Sequence, residues 1–364
     1  MSFIDNILSS VKAGAIGGPG SVVGIDIGSS SIKVIELVEQ KGVVTLSTYG
    51  EVQLGPYAND DVGASVSLQP KQEQEALVDV IRESAVRSRE AVFAMPLSSS
   101  FVTNISIDAD ADADLASMVR IEARKVIPAS LSEVTLDWAE VEVTKKEGSE
   151  NDQNKRNVLI ASIQNAALER FNVLMQFVGL NKPPTEIECF SSLRGLYQSD
   201  EENVASVDIG AVSAKLYIAR KGLLMRMYRI RAGGVLATEA IAKKLDTDFS
   251  TAETKKCTIS REQEDFSDIK RIHDDTYNRA FREFNQVIRE YEKKTGLTIP
   301  TIYLSGGGSS FPGMDSHLQS VLEREVLVAN PFSKVAYPAF MEDTMRTIGP
   351  SFTVALGAAL RSFE

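Results

Sequence analysis

A strand–turn–strand motif that occurs twice constrains the fold of this chain more than any other feature. Each copy has two β-branched, apolar runs that flank a short polar turn, a pattern that predicts a β-hairpin. The first copy spans residues 22–37 and the second spans residues 207–218. Self-similarity at half the length of a 364-residue chain predicts two related domains that face each other. Three positions recur, each pair 182 residues apart: Asp26 and Asp208, Gly28 and Gly210, Lys33 and Lys215.

The residue types in these hairpins favour a phosphate site. The glycine lets the backbone approach an anion closely, and Ser29, Ser30 and Ser31 add amide and hydroxyl donors. Lys33 adds a positive charge, and Asp26 ends the first strand, where its carboxylate can face a cation or the water around it. One such hairpin alone is equally well explained as an ordinary polar turn. Two copies predict a polyphosphate between two acidic hairpins, with a divalent cation that offsets carboxylate–phosphate repulsion.

The composition is that of an ordinary globular protein, and it argues against several partners and locations. Apolar residues make up 43% of the chain and charged residues 24%. A net charge of −11 argues against a nucleic-acid partner held by phosphate contacts. The two cysteines, Cys189 and Cys257, match no metal or redox spacing. We expect a cytoplasmic protein, because the sequence has no export signal and no apolar run of roughly 18 residues that suggests a membrane span.

The remaining pattern divides the chain into an N-terminal segment, two halves and two further subdomains. Residues 1–20 place apolar side chains at helical spacing before a glycine-rich linker, which predicts an amphipathic helix that contacts a membrane, a partner or the protein itself. Residues 101–180 have the order strand, helix, strand, strand, helix, which predicts an inserted α/β module with a structural or protein-binding role. Residues 242–299 are charged and helical. The halves are residues 21–100 with 181–203, and residues 204–241 with 300–364.

Other candidate ligand contacts lie in the second half of the chain. Gly233 and Gly234 open a predicted helix, which is typical of an anion site but also of a simple turn. Glu253 and Lys256 lie three residues apart on one helical face, where they could bracket a ribose and a base. Glu188 could position a water for hydrolysis, although a packing role explains its location better. A buried strand also runs into three glycines whose backbone can approach a flat ring or a phosphate. These are Gly306, Gly307 and Gly308.

The order of these motifs resembles that of the superfamily of actin, sugar kinases and heat-shock chaperone ATPases. Its two phosphate motifs and its adenosine motif correspond to residues 26–28, 208–210 and 305–308. The module at residues 101–180 resembles the subdomain of FtsA-like bacterial actins. The chain is most similar to the type IV pilus assembly protein PilM family in that module and in residues 24–37, 232–234 and 354–361.

This resemblance implies an actin-like ATPase fold, in which two related RNase H-like α/β halves surround a nucleotide cleft and an FtsA-type small α/β subdomain is inserted. It implies ATP and Mg²⁺ as cofactors, with Asp26 and Asp208 holding Mg²⁺ largely through water. The implied phosphate contacts are Gly28, Ser29, Ser30, Ser31, Lys33 and Gly210. The implied nucleoside contacts are Gly233, Gly234, Glu253, Lys256, Gly306, Gly307 and Gly308.

The resemblance also implies a cytoplasmic protein, peripheral at the inner membrane, that works in type IV pilus assembly. Proteins of this family bind the cytoplasmic N-terminal tail of the membrane protein PilN, in a groove of the first half and the inserted module. They connect this tail to the pilus motor or platform, and self-association is a further expectation. No residue is a sure hydrolytic base, so we expect at most slow ATP hydrolysis, or nucleotide binding as a structural switch.

Two other functions fit the same fold. A small-molecule kinase needs a carboxylate base against the acceptor hydroxyl, and the sequence offers none with a clear role. An FtsA-like division protein carries a C-terminal amphipathic membrane helix, and none follows the small-residue helix predicted at residues 352–360. Phosphate transfer to a panel of sugars would favour the kinase, and sedimentation with liposomes would favour the membrane-tethered protein.

Overall fold

The structure, a computed structural model, describes residues 20–110, 113–141, 155–181, 185–197 and 203–363. The amphipathic segment predicted at residues 1–20 therefore lies outside the described residues, except for Gly20. Most of the polar loop predicted at residues 145–157 lies outside them as well. The described part contains two five-stranded sheets, one three-stranded sheet and the helices that cover them.

The first half is built on the first acidic hairpin. Its elements are, in chain order, β1 (Ser21–Ile27), β2 (Ser31–Gln40), β3 (Val43–Gln53), α1 (Pro70–Glu83) and β4 (Ala91–Met95). The first three strands are antiparallel, and β4 runs parallel to β1 and is buried throughout. The sequence predicts that α1 extends to about Ser88, and this prediction is wrong. The helix ends at Glu83 because Ala85 adopts a left-handed conformation with φ of 51°.

An inserted module follows, and it has the predicted order of strand, helix, strand, strand and helix. Its elements are β5 (Ser100–Asp108), α2 (Leu115–Val126), β6 (Val134–Glu140), β7 (Lys155–Gln164) and α3 (Asn165–Phe177). β7 lies between β5 and β6 and is antiparallel to both. Arg170 of α3 donates from Nε to Oε2 of Glu73 in α1 at 2.9 Å, which attaches the module to the first half. Asn104 of β5 donates from Nδ2 to the carbonyl oxygen of Leu224 at 2.8 Å, which attaches it to the second half.

The two large sheets have the same strand order and the same strand directions. The chain completes the first half with β8 (Glu186–Ile187) and α4 (Glu188–Leu196), and that sheet has the order β3-β2-β1-β4-β8. The second sheet has the order β11-β10-β9-β12-β13, and its strands are β9 (Asn203–Ile209), β10 (Ala214–Arg220), β11 (Leu223–Ile230), β12 (Thr301–Ser305) and β13 (Glu325–Val328). In each sheet three antiparallel strands are followed by two parallel ones. The shared topology confirms that the sequence repeat reflects two related halves.

Helices of the second half cover its sheet, and the last helix returns to the first half. They are α5 (Gly234–Leu245), α6 (Phe249–Thr258), α7 (Phe266–Thr295), α8 (Met314–Leu322) and α9 (Glu342–Leu360). Small residues let α9 pack closely, since a Cβ at Gly357 would lie 1.8 Å from the carbonyl oxygen of Ser191 in α4. The predicted start of this helix at Phe352 is wrong, because α9 continues through Pro350. Burial of the helix against the first half offsets the backbone hydrogen bond that proline removes.

Candidate functional site

A cleft of about 640 Å³ lies between the two halves, and the turns of both acidic hairpins line it. β1 and β9 have the same central place in their sheets, so Asp26 and Asp208 lie at equivalent positions. Each is the cross-strand neighbour of a lysine, Asp26 of Lys33 and Asp208 of Lys215. The sequence repeat thereby brings two carboxylates and two ammonium groups to the walls of one cavity.

The two hairpin turns share one backbone geometry. The amide of Gly28 donates to the carbonyl oxygen of Ser31 at 2.9 Å, and the amide of Gly210 donates to the carbonyl oxygen of Ser213 at 3.0 Å. This hydrogen bond closes each turn, and Ser29 and the other turn residues line the cleft. Amide and hydroxyl groups in such turns form concave sites that suit anions.

Lys215 bridges the two halves at the floor of the cleft. Its Nζ lies 2.9 Å from Oε2 of Glu188, at the start of α4 in the first half, and 3.1 Å from Oδ2 of Asp208 in the second half. Burial alone would lower the pKa of Lys215, but the two carboxylates outweigh burial and raise it well above its ordinary value. Lys215 is therefore charged, and it compensates two carboxylates at once.

The equivalent lysine of the first hairpin has different partners. Lys33 donates from Nζ to Oγ of Ser31 at 2.7 Å and forms an ion pair with Oε1 of Glu51 at 3.1 Å. Equivalent places in the two hairpins thus give two different electrostatic arrangements. The first hairpin directs its lysine to a carboxylate of its own sheet, and the second directs its lysine across the cleft floor.

Glu188 is a buried carboxylate at the floor of the cleft, held by two contacts. Its Oε1 accepts the backbone N–H of Leu97 at 2.8 Å, and its Oε2 faces Lys215. Sequence reasoning favoured a packing role because nothing in the local pattern distinguishes this glutamate. The structure shows that α4 begins at the cleft and presents Glu188 beside Asp208 and Asp26.

Asp26 lies in an environment that disfavours its charge. Burial raises its pKa from an ordinary value of 3.8 to about 6; Lys33 and Lys215 oppose this rise, and Glu188 and Asp208 add to it. The charge of Asp26 therefore changes near neutral pH. A bound cation would favour the charged form.

The three glycines after β12 are required by close packing on the second hairpin. Gly306 has φ of 83°, and a Cβ there would lie 2.3 Å from Oδ1 of Asp208. A Cβ at Gly308 would lie 2.3 Å from Cγ2 of Ile209. A Cβ at Gly307 would meet no heavy atom within 4 Å, so this glycine faces open space in the cleft. Two of the three glycines therefore position the hairpin, and the third leaves room beside it.

Glu253 and Lys256 form a pair where the halves meet across the cleft. Lys256 Nζ lies 2.7 Å from Oε2 of Glu253 and donates to Oγ1 of Thr238 at 2.8 Å. Gly63 of the first half lies against this carboxylate, since a Cβ at Gly63 would be 2.6 Å from Cδ of Glu253. The predicted pair is therefore part of the cleft, and it forms one of its contacts between the halves.

An aromatic wall completes this end of the cleft. The ring of His273 stacks on that of Phe311, with centroids 3.6 Å apart and an interplanar angle of 9°. Both rings line the cleft together with Tyr277. Burial lowers the pKa of His273 to about 3, so its imidazole is neutral at physiological pH. The sequence predicts Tyr277 as part of a core or partner stripe on α7, and the structure places it in the buried core of the second half, where it borders the cleft.

All but one of the residues predicted to contact a nucleotide line this cleft. The exception is Gly233, which is buried below the second hairpin; a Cβ there would lie 2.5 Å from the carbonyl oxygen of Ala211. A volume of about 640 Å³ is within the range of cofactor sites. Within the described ranges, no group of three or more His, Cys, Asp or Glu side chains could hold a metal. Charged or aromatic lining residues that the sequence did not single out for ligand binding include Glu51, Glu73, Arg170, Phe171, Arg229, His273, Tyr277 and Phe311.

Two halves of one topology around a cleft, with a small module inserted in the first half, define an actin-like fold. A chain of the "PilM-PilN type IV pilus biogenesis complex" has a TM-score of 0.77 and 24% identity, over 94% of this chain and 98% of that chain. Ethanolamine utilization protein EutJ from Carboxydothermus hydrogenoformans has a TM-score of 0.55 and 16% identity, over 99% and 95% of the two chains. Diol dehydratase-reactivating factor in nucleotide-free form has a TM-score of 0.53 and 10% identity, over 94% of this chain and 99% of that chain.

The family is shown by the sequence. Residues 24–363 match the family model of type IV pilus assembly protein PilM, and the chain belongs to this family. The fold class and the family that the motifs indicated are thus confirmed. Of the helices in the part of the chain that the structure describes, none is both long enough and apolar enough to cross a membrane.

Proposed function

We propose that this protein is a cytoplasmic, ATP-binding scaffold of the type IV pilus inner-membrane assembly complex. It binds the cytoplasmic N-terminal tail of a PilN-like membrane protein and links that tail to the pilus motor. The observation that carries the proposal is the family match over residues 24–363. The likeness to a chain from a PilM-PilN complex supports the partner. Binding to this tail would hold the protein at the cytoplasmic face of the inner membrane.

Mg²⁺-ATP is the ligand that we propose for the cleft. Asp26 and Asp208 would hold a hydrated Mg²⁺ ion between the two hairpins, because Mg²⁺ keeps several waters and takes only one or two carboxylates. Their position at the two turns and the room beside Gly307 support this assignment. The bound cation supplies the positive charge that offsets repulsion between these carboxylates and the phosphates. The turn residues and Lys33 would bind phosphate oxygens.

The other end of the cleft would bind the nucleoside. Glu253 and Lys256 offer an acceptor and a donor there, and the stacked rings of His273 and Phe311 offer an apolar edge. The neutral imidazole of His273 adds no charge to this end. A flat base beside a charged pair that can reach hydroxyl groups fits this arrangement.

Nucleotide binding, with at most slow hydrolysis, is the activity that we propose. Glu188 is a carboxylate of the cleft floor, but both of its oxygens are engaged, one by Leu97 N–H and the other by Lys215. A general base has to be free to contact the attacking water, and these two contacts hold the Glu188 carboxylate in the floor of the cleft. This arrangement favours a nucleotide-dependent structural switch over rapid turnover.

An apolar groove in the first half and the inserted module supports the docking part of the proposal. The groove has a volume of about 410 Å³ and lies between the end of α1 and the end of α3. Phe177, which precedes the groove residue Val178, is 58% exposed. An apolar groove with a basic rim suits a short peptide with apolar side chains. The lining residues are Val78, Ile81, Arg82, Ala85, Val86, Arg87 and Val178.

Calorimetric titration with a peptide copied from the cytoplasmic N-terminal tail of a PilN-like membrane protein tests the docking proposal. We expect binding to the wild-type protein and a loss of at least about tenfold in Val178→Asp, because a desolvated carboxylate is costly in an apolar groove. Ile121→Asp is the matched control, since Ile121 is 56% exposed on α2, outside the groove. Equal affinity of all three proteins would contradict the assignment of the groove, and no binding at all would contradict the partner.

A further inference from the structure

We propose that Lys215 acts as a built-in cation that holds Asp208 and Glu188 together in the metal-free protein, so that the closed floor of the cleft does not depend on Mg²⁺. Lys215 is in this view a positioning residue, which acts through the two carboxylates. The inference deepens the proposed function, because it concerns the cleft to which we assign Mg²⁺-ATP. It concerns the nucleotide-free state and is tested without nucleotide.

The charges at the cleft floor make a cation necessary. Asp208 and Glu188 belong to different halves, and each side chain is 10% exposed. Two carboxylates this close together and this far from water repel each other strongly. Lys215 Nζ lies within 3.1 Å of both of them, and its side chain is 13% exposed. A single ammonium group thus offsets the carboxylate–carboxylate repulsion, as a divalent cation does in other clefts lined by carboxylates.

The position of Lys215 is specific to the second hairpin. Lys33 has the equivalent cross-strand place beside Asp26, but it pairs with Glu51 of its own sheet. Hairpin geometry alone therefore does not direct the lysine to the cleft floor. Glu188 does so from the other half, and the Leu97 N–H fixes the opposite oxygen of that carboxylate.

The strand β10 also directs the Lys215 side chain into the interface between the two halves. Tyr217 lies two residues further along β10, on the same face, and is fully buried. Its ring belongs to a core that includes Phe93 and Ile187 of the first half. The face of β10 that carries Lys215 and Tyr217 therefore packs against the first half. Loss of the Lys215 ammonium group would leave Asp208 and Glu188 without their shared cation.

Thermal unfolding of the full-length protein without nucleotide tests this role. Wild type, Lys215→Ala and Lys255→Ala are compared in EDTA and in millimolar MgCl₂. Lys255 is the control, since it forms an ion pair with Asp265 away from the cleft. We expect Mg²⁺ to leave the Tm of wild type and of the control nearly unchanged. Lys215→Ala should lose roughly 5 °C or more in EDTA and recover most of this loss in MgCl₂, where a hydrated cation replaces the ammonium group.

The outcomes separate a cation role from a packing role. A Tm of Lys215→Ala that equals wild type in EDTA, or that is lowered equally in EDTA and MgCl₂, overturns the proposal. If Lys215→Ala fails to fold, Lys215→Arg and Lys215→Gln replace it. The arginine variant should melt independently of Mg²⁺, the glutamine variant should depend on Mg²⁺, and the same response in both overturns the proposal. A wild type that does not bind ATP would contradict the proposed ligand and leave these melting curves interpretable.

Discussion

The ammonium group of Lys215 lies 2.9 Å from Oε2 of Glu188, and this ion pair joins the second half of the molecule to the first at the floor of the cleft. Separation of the halves at this point would break this largely buried ion pair. Gly63 and Glu253 form another contact between the halves, and Glu253 is partly exposed. We therefore expect the cleft to open at the Gly63–Glu253 contact while its floor stays closed.

The pH dependence of stability should report on Asp26. Its pKa of about 6 in the folded protein lies above its ordinary value of 3.8. The folded state therefore binds the proton of Asp26 more tightly than the unfolded state does. Protonation of Asp26 stabilises the fold fully below about pH 3.8, and this contribution is lost as the pH rises through about 6. Ionised Asp26 then costs on the order of 3 kcal/mol of folding free energy. Asp26→Asn keeps the neutral form and avoids this cost.

We therefore expect the Tm of Asp26→Asn to exceed that of wild type increasingly between about pH 4 and pH 7.5. Melting curves of both proteins in EDTA across this range measure the difference. A Tm difference that is constant with pH would contradict the raised pKa of Asp26.

Substitution of Gly306 should disturb the second hairpin, whereas substitution of Gly307 should not. Alanine at Gly306 would strain a left-handed backbone and press on the Asp208 carboxylate, at a cost of about 1–3 kcal/mol. Alanine at Gly307 meets open space, so the free energy of unfolding of Gly307→Ala should equal that of wild type. Urea unfolding compares the two variants, and equal stability of both would show that Asp208 moves aside easily.

Glu186 should be essential for attaching α9 to the first half. Arg194 donates to Oε2 from Nη1 at 2.6 Å and to Oε1 from Nη2 at 2.7 Å. Burial alone would raise the pKa of Glu186, but Arg194, Arg361 and a Ser191 hydrogen bond outweigh burial and lower it. This stabilisation is present above the ordinary pKa of 4.5 and is lost as the pH falls through the lower folded value.

Glu186→Ala should therefore lose about 3–5 kcal/mol at neutral pH, because two arginines are left without their carboxylate. Urea unfolding at pH 7 measures the loss, with Glu342→Ala as the control for a surface pair with Arg346. Similar small losses in both variants would mean that water replaces the Glu186 carboxylate.

The attachment of the inserted module to the first half should depend on Arg170. Its guanidinium is half exposed, but the Glu73 carboxylate that it binds is buried, and Arg170→Ala would leave this carboxylate without its partner. We expect a loss of about 2 kcal/mol and faster proteolysis near α3. Arg82→Ala, which breaks an exposed pair with Asp79, is the control and should change little. Unchanged proteolysis of Arg170→Ala would contradict a role of this ion pair in holding the module to the first half.

The sequence predicts those parts of the fold and site that depend on local pattern. The hairpins of Asp26 and Asp208 are marked by strand periodicity and by their repetition, and the three glycines at 306–308 are marked by composition. Glu188 and the stacking of His273 on Phe311 are not marked, because residues distant in the chain bring them to the cleft. The continuation of α9 through Pro350 likewise depends on burial against the first half, which overrides a local preference.

Calorimetric titration of the full-length protein with ATP in the presence of Mg²⁺ tests the central claim most directly, with Asp208→Asn beside the wild type. We expect saturable binding at one site in wild type. The loss in Asp208→Asn should be at least tenfold, because one of two acidic groups that face the cation and the phosphates is neutralised. The melting curve of the variant serves to establish that it is folded. Absence of binding in wild type, or equal affinity in a folded Asp208→Asn, would contradict the assignment of the cleft between the two hairpins as a Mg²⁺-ATP site.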